Sequence, residues 1–154
     1  MRKLLSSGLA MFAGMLSVPA PGSIHGERKA PAADHRLASL QAFFGKFACP
    51  AKEYSTDFLA EADRFSLDWR LLPSLSYVES TGGKSARNNN LFGWKSGRAS
   101  FRSARASIHE VGYQLTHSRI YRSKNIDQLL ALYNPGSEYA QRVKSVMAQI
   151  APTR

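Results

Sequence analysis

From residue 37 onward, apolar side chains recur every three or four positions, the pattern of amphipathic helices. Leu37, Leu40, Phe44 and Phe47 predict a first short helix, which Cys49-Pro50 stops. Ser55, Thr56 and Asp57 offer N-cap oxygens to a second helix carrying Phe58, Leu59, Ala62 and Phe65. Asp68 offers the cap of a third, with Leu71, Leu75 and Val78 on one face at i, i+4 and i+7. Pro73 falls early in that helix, where its missing N–H costs little, although its ring invites a kink. Gly82 and Gly83 supply a stop, which puts Glu79 in the last helical turn.

Periodicity then lapses. Residues 84–102 are polar and glycine-bearing, and predict a loop or small hairpin turning at Ser96-Gly97. Ser103 is placed to cap a helix running to about Arg119, with Ile108, Val111 and Leu115 inward. Asn125 and Gln128 have capping-box spacing ahead of Leu129, Leu130 and Tyr133. Asn134-Pro135-Gly136 breaks the chain, and Ser137 opens a last helix with Tyr139, Val143, Val146 and Ile150. The expected fold is mostly α: about six helices and one short irregular lobe, with no internal repeat.

The first 36 residues read differently. Arg2 and Lys3 precede a short apolar stretch, residues 4–18, and Val18-Pro19-Ala20 offers a cleavage signal. This is the layout of a secretory signal peptide over residues 1–20. A cut after Ala30-Pro31-Ala32 and an uncleaved anchor are the alternatives; the run is too short and interrupted to read as a transmembrane span. Residues 21–36, rich in Pro, Ala, Gly and charge, read as linker, leaving 37–154 as the folded domain. The expected location is periplasmic or secreted.

Composition narrows this further. Hydrophobic residues make up 44% of the chain, enough for a sizeable core. Export permits disulfides, but Cys49 is the only cysteine, so the fold must rest on that core. Cys49 itself reads as small buried filler beside Phe44 and Phe47. Formal net charge is +10, from 21 Lys plus Arg against 11 Asp plus Glu; without Arg2 and Lys3 it is +8, 19 against 11. Such a surface favours an anionic partner. For an exported chain an anionic cell wall fits better than nucleic acid, for which no module is recognisable.

Two segments carry candidate chemistry. Glu79 is the only acid between Asp68 and Glu110, and it ends an apolar run. A carboxyl against apolar surface is disfavoured as an anion, so its pKa is expected to rise. A carboxylic acid that keeps its proton near neutrality can protonate a glycosidic oxygen. The plain alternative is a solvated acid at a helix end. The second segment is NNNLFGWK, residues 88–95. Amides bond sugar hydroxyls and indoles stack on sugar faces, so Asn89, Asn90 and Trp94 read as cleft residues. Leu91 and Phe92 read on their own as core.

The order VES, NNLFGWK, FRS and then a Tyr-bearing pair of helices resembles the lysozyme-like superfamily, in particular the bacterial glucosaminidase family of autolysins. The core signature of that family resembles E-S followed by N-N-L-F-G. Residues 71–80 also resemble the Glu-bearing helix of lytic transglycosylases, and Tyr133-Asn134-Pro135-Gly136 resembles their Tyr-Asn-x-Gly turn. The resemblance covers roughly residues 55–150. It implies a lysozyme-like domain that cleaves peptidoglycan glycan strands, acting as a monomer. It further implies that Glu79 is the catalytic acid, that Tyr133 or Tyr139 faces it, and that Asn89, Asn90, Phe92, Gly93 and Trp94 shape the cleft. Ser80, which has no His-Asp partner pattern, reads as support for Glu79 at the helix end. No metal or organic cofactor is implied, and nucleic acid is not an expected partner.

The sequence departs from the glucosaminidase pattern after NNLFG. Residues 95–107 hold no acid and carry Lys95, Arg98, Arg102 and Arg105. An ordinary glycosidase pairs two carboxyls across the bond. Without a partner, Glu79 must serve as acid and base, with the sugar's N-acetyl group or 6-hydroxyl as nucleophile. Glu110 and Asp127, the nearest downstream acids, read as surface residues in helix patterns. His25, His35, His109 and His117 show no metal-ligand spacing, and His109 and His117 read as a solvated helix face. The basic run from Lys84 to Arg105 reads either as lining for a glycan that bears peptide carboxylates or as a solvated face. The rival to catalysis is a wall-binding protein with the cleft but no turnover.

Overall fold

A computed structural model describes residues 34–152. The expected signal peptide, most of the expected linker, and His25 lie outside the described residues. Helices α1 (His35–Lys46), α2 (Ser55–Phe65), α3 (Leu71–Ser80), α4 (Ala104–His117), α5 (Ile126–Tyr133) and α6 (Tyr139–Ile150) follow in order, with a 3₁₀ turn at Pro50–Tyr54. The mostly α class read from periodicity is therefore the observed one. Residues 81–103 form the irregular lobe; it contains one isolated antiparallel bridge, Arg87 to Asn90, rather than a paired hairpin. Among the described residues no helix is long and apolar enough to cross a membrane.

Helix α3 runs through the core. Leu71 to Ser76 are six consecutive buried residues, so the helix is surrounded rather than amphipathic at its start. It packs on α6 and α2; α2 in turn packs on α4 and α1. Phe44, Phe58 and Phe92 are fully buried and form a chain of aromatic contacts, 5.8 Å between the first pair and 6.5 Å between the second. Cys49 is buried beside Phe44 and Gly82, the packing role expected of it.

Two caps match expectation. Ser103 Oγ accepts from Ala106 N–H at 3.1 Å, and Asn125 and Gln128 form a reciprocal capping box on α5. Four helix ends differ. α1 starts two residues early, inside the expected linker, because Asp34 caps it through Arg36 N–H at 2.9 Å. Ser55, Thr56 and Asp57 do not cap α2: the 3₁₀ turn, begun by Pro50, feeds straight into it, and Ser55 Oγ donates back to Lys52 O. Asp68 instead closes the turn before α3, accepting from Arg70 N–H at 2.9 Å. α6 begins at Tyr139 with no side-chain cap, so Ser137 does not open it.

Candidate active site

Glu79 lies in the last turn of α3 and is half-buried. The residue that ends this helix is Thr81, in the left-handed region at φ 53°, followed by Gly82 and Gly83, also at positive φ. The N–H groups of Thr81 and Gly82 take up the free carbonyls of Tyr77 and Ser76 at 2.9 and 3.1 Å. A β-branched residue there costs about 1–2 kcal/mol, so the rest of the site must hold it in place. Ser80 contributes: its buried hydroxyl donates to Leu91 O at 2.8 Å and accepts from Gly83 N–H at 3.0 Å. Ser80 thus ties the helix end to the irregular lobe. It is 3% exposed, in keeping with the supporting role read from its place at the helix end.

The lobe is built to deliver Gly93 to Glu79. Asn88 and Asn89 turn the chain in left-handed conformation, φ 52° and 58°, which Asn tolerates better than most side chains. Asn89 Nδ2 donates to Phe101 O at 2.8 Å, closing the lobe on itself. Asn90 is buried and clasps Trp94 from both sides: Oδ1 accepts the Trp94 N–H at 2.9 Å and Nδ2 donates to Trp94 O at 3.0 Å. The amides expected to face a sugar are therefore engaged in shaping the turn. Phe92 is fully buried, so its side chain is core and not cleft; its carbonyl accepts the Tyr133 hydroxyl at 2.7 Å.

Gly93 is the pivot. Its φ is +59°, and a Cβ there would fall 2.5 Å from Glu79 Oε2. No other residue leaves that space for the carboxylate. On the other oxygen, Tyr139 donates its hydroxyl to Oε1 at 2.7 Å. Tyr139 is 2% exposed, and its ring stacks on Tyr133 at 6.0 Å. Of the two tyrosines named from sequence, Tyr139 is bonded to Glu79, while Tyr133 bonds the lobe. Burial, reinforced by the bond to Glu79, pushes the Tyr139 phenol far above its ordinary range. Tyr133 is raised too, by burial first and then by the charge of Glu79. Both therefore remain hydrogen-bond donors at any physiological pH.

A cleft of about 1580 Å³ opens beside this group, with Gly93, Trp94, Tyr121 and Tyr133 in its wall. Glu79 is not itself a wall residue; it adjoins the cleft through Gly93. Trp94 is half-buried and lies 5.6 Å from the Tyr133 ring and 6.1 Å from Tyr121, making an aromatic corner. Tyr121 escaped sequence reading because it sits in a turn without periodicity.

The same cleft contains residues expected elsewhere. Glu110, expected at the surface, is in the wall and accepts from Gln114 Nε2 at 2.8 Å. His109 is on a solvated face, as expected, with its side chain half exposed; it also reaches the wall, its Nδ1 3.0 Å from Glu61 Oε2. Glu61 carried no sequence signal, because it reads as an ordinary helix acid. Asp127 is exposed and paired with Lys144 at 2.6 Å, outside the cleft, as expected. Among the described residues no cluster of three or more His, Cys, Asp or Glu is placed to hold a metal ion.

No protein-family model matches the chain, and no curated protein or solved structure matches it either. The functional reading therefore stands on the geometry of Glu79 and on the motifs around it.

Proposed function

We propose that this protein is an exported, lysozyme-like enzyme that cleaves the glycan strand of peptidoglycan, with Glu79 as its acid. The observation that carries the reading is the grip on one carboxyl: Tyr139 holds Oε1 at 2.7 Å while Gly93 leaves room for Oε2 beside an aromatic-lined cleft. A general acid must be oriented before it is useful, and the Tyr139 bond to Oε1 fixes this carboxyl with Oε2 toward Gly93. Trp94 and Tyr121, partly exposed in the cleft wall, supply faces on which sugar rings can stack. The motif resemblance, VES with NNLFGWK, supports the same assignment.

The other two acids of the cleft wall are engaged, Glu61 by His109 and Arg64 and Glu110 by the Gln114 amide, which favours chemistry with Glu79 as the single carboxyl. Glu79 gives its proton to the glycosidic oxygen as the C1–O bond breaks. The 6-hydroxyl of the same sugar attacks C1, and its proton returns to Glu79. The product then ends in an anhydro sugar and no water is consumed.

The test is digestion of purified peptidoglycan in ¹⁸O-labelled water by the parent chain and by Glu79→Gln. The parent is expected to release anhydro ends free of label, and Glu79→Gln to fold but lose about 10²–10⁴-fold in rate. Labelled reducing ends would mean hydrolysis, with Glu61 or Glu110 as the acid to examine. A parent chain that binds the wall and releases nothing would establish the non-catalytic rival.

A further inference from the structure

We infer that Lys95, Arg98 and Arg102 form an anion subsite in the cleft wall, shaped for the free carboxylate of a peptide substituent on the glycan; this rests on the reading of the cleft as a glycan site. Four cations line the cleft: Lys95, Arg98, Arg102 and Arg105. Arg105 is occupied, paired with Asp57 at 3.0 Å and lying 5.4 Å over the Tyr54 ring. The two acids of the wall are occupied elsewhere: Glu61 by His109 and Arg64 at 3.0 and 3.2 Å, Glu110 by the Gln114 amide. Among the described residues no carboxylate pairs with Lys95, Arg98 or Arg102, and all three are exposed. The basic run is thereby divided. Lys84 and Arg87 lie outside the cleft wall, and Arg105 has its partners, so three cations inside the concavity remain without counter-charge.

The backbone that carries Lys95 and Arg98 is a tight coil. Gly93, Lys95, Ser96 and Gly97 all have positive φ, at 59°, 55°, 56° and 79°. Three hydrogen bonds fix the coil: Gly97 N–H to Gly93 O at 2.7 Å, Arg98 N–H to Lys95 O at 3.2 Å, and Ala99 N–H to Trp94 O at 3.2 Å. Two non-glycine residues in that region store strain, which gathers at ligand clamps. The coil begins at Gly93, so the residue that seats Glu79 also starts the segment that presents Lys95 and Arg98. The rings of Trp94, Tyr121 and Tyr133 line the same cleft. A ligand with sugar faces for the rings and a carboxylate for the cations satisfies both halves of the wall.

The experiment uses the full chain and its Lys95→Asn/Arg98→Gln/Arg102→Gln variant, Asn being chosen because it tolerates positive φ. Turnover is measured on peptidoglycan with its stem peptides and on the same glycan stripped by an amidase. The parent is expected to prefer the peptide-bearing strand by about tenfold in kcat/KM, expressed in KM and weakened by added salt. In the triple variant that ratio should collapse toward one. An unchanged ratio, or a parent without preference, overturns the subsite. If the parent cleaves neither glycan, the enzymatic reading fails, and co-sedimentation of Glu79→Gln with the two walls decides the subsite separately. Retention that follows peptide content and is lost with the three cations supports it. Retention that follows wall phosphate polymer, or competition by DNA alone, overturns it.

Discussion

At the scale of single residues, the site depends on two atoms of Glu79 and what each meets. Tyr139→Phe removes a hydroxyl and leaves the buried ring in place. The expected result is a kcat at least about tenfold lower, with a stability loss of about 0.5–1.5 kcal/mol for one hydrogen bond. Turnover and thermal unfolding of the same preparation check it; full activity would show that Tyr139 packs without orienting. Gly93→Ala meets two obstacles at once, a left-handed φ of +59° and a Cβ 2.5 Å from Oε2. It is expected to fold with a loss of about 1–2 kcal/mol and to lose activity well beyond what that destabilisation explains. Gly97→Ala is the control, because its φ is also positive while nothing lies within 4 Å of the added carbon. Equal activity losses in the two would mean that strain, not contact with Glu79, is responsible.

At the scale of elements, α3 and the lobe after it meet at a helix end that is strained. Thr81 is exposed and β-branched at φ 53°, so only its backbone conformation matters there. Thr81→Gly relieves the steric cost and restores chain entropy to the unfolded state, two effects of similar size and opposite sign. The expected net gain is a few tenths to about 1 kcal/mol, read as a higher Tm. A fall in Tm would show that the Thr81 side chain has a partner in solution. The lobe itself is ordered by side chains that bond backbone: Ser80 to Leu91, Asn89 to Phe101, Asn90 to Trp94 and Tyr133 to Phe92. Regular secondary structure plays almost no part in it, which is why its sequence lacks periodicity.

At the scale of the whole molecule, arginine–carboxylate bonds tie the helices around the core. Arg36 holds Asp34 and Asp63, joining α1 to α2, and its guanidinium bonds lower the pKa of both carboxyls. Burial pushes Asp68 up, but the bonds from Arg70 outweigh it and leave it lowered. A carboxyl depressed in the folded state stabilises above its unfolded pKa and loses that contribution as pH falls through the folded value. Tm is therefore expected to hold from neutrality to about pH 4, the ordinary Asp range, and to fall below it. Arg36→Ala should flatten that acid limb; an unaltered limb would assign it to other carboxyls. Apolar spacing was enough for the helical class, most helix positions and the burial of Cys49, and the isolation of one acid was enough to single out Glu79 as a candidate. These are local properties, set by apolar spacing and by one acid standing alone. It took the folded lobe to show that the Asn89 and Asn90 amides bond backbone, since a polar residue in a turn reads alike whether it faces solvent or its own chain. Tertiary structure alone also chose Tyr139 over Tyr133 and brought Glu61, His109 and Glu110 into the cleft. Each of those choices depends on contacts between residues 41 to 60 positions apart, or on the packing of α2 against α4, and no pattern along the chain encodes them.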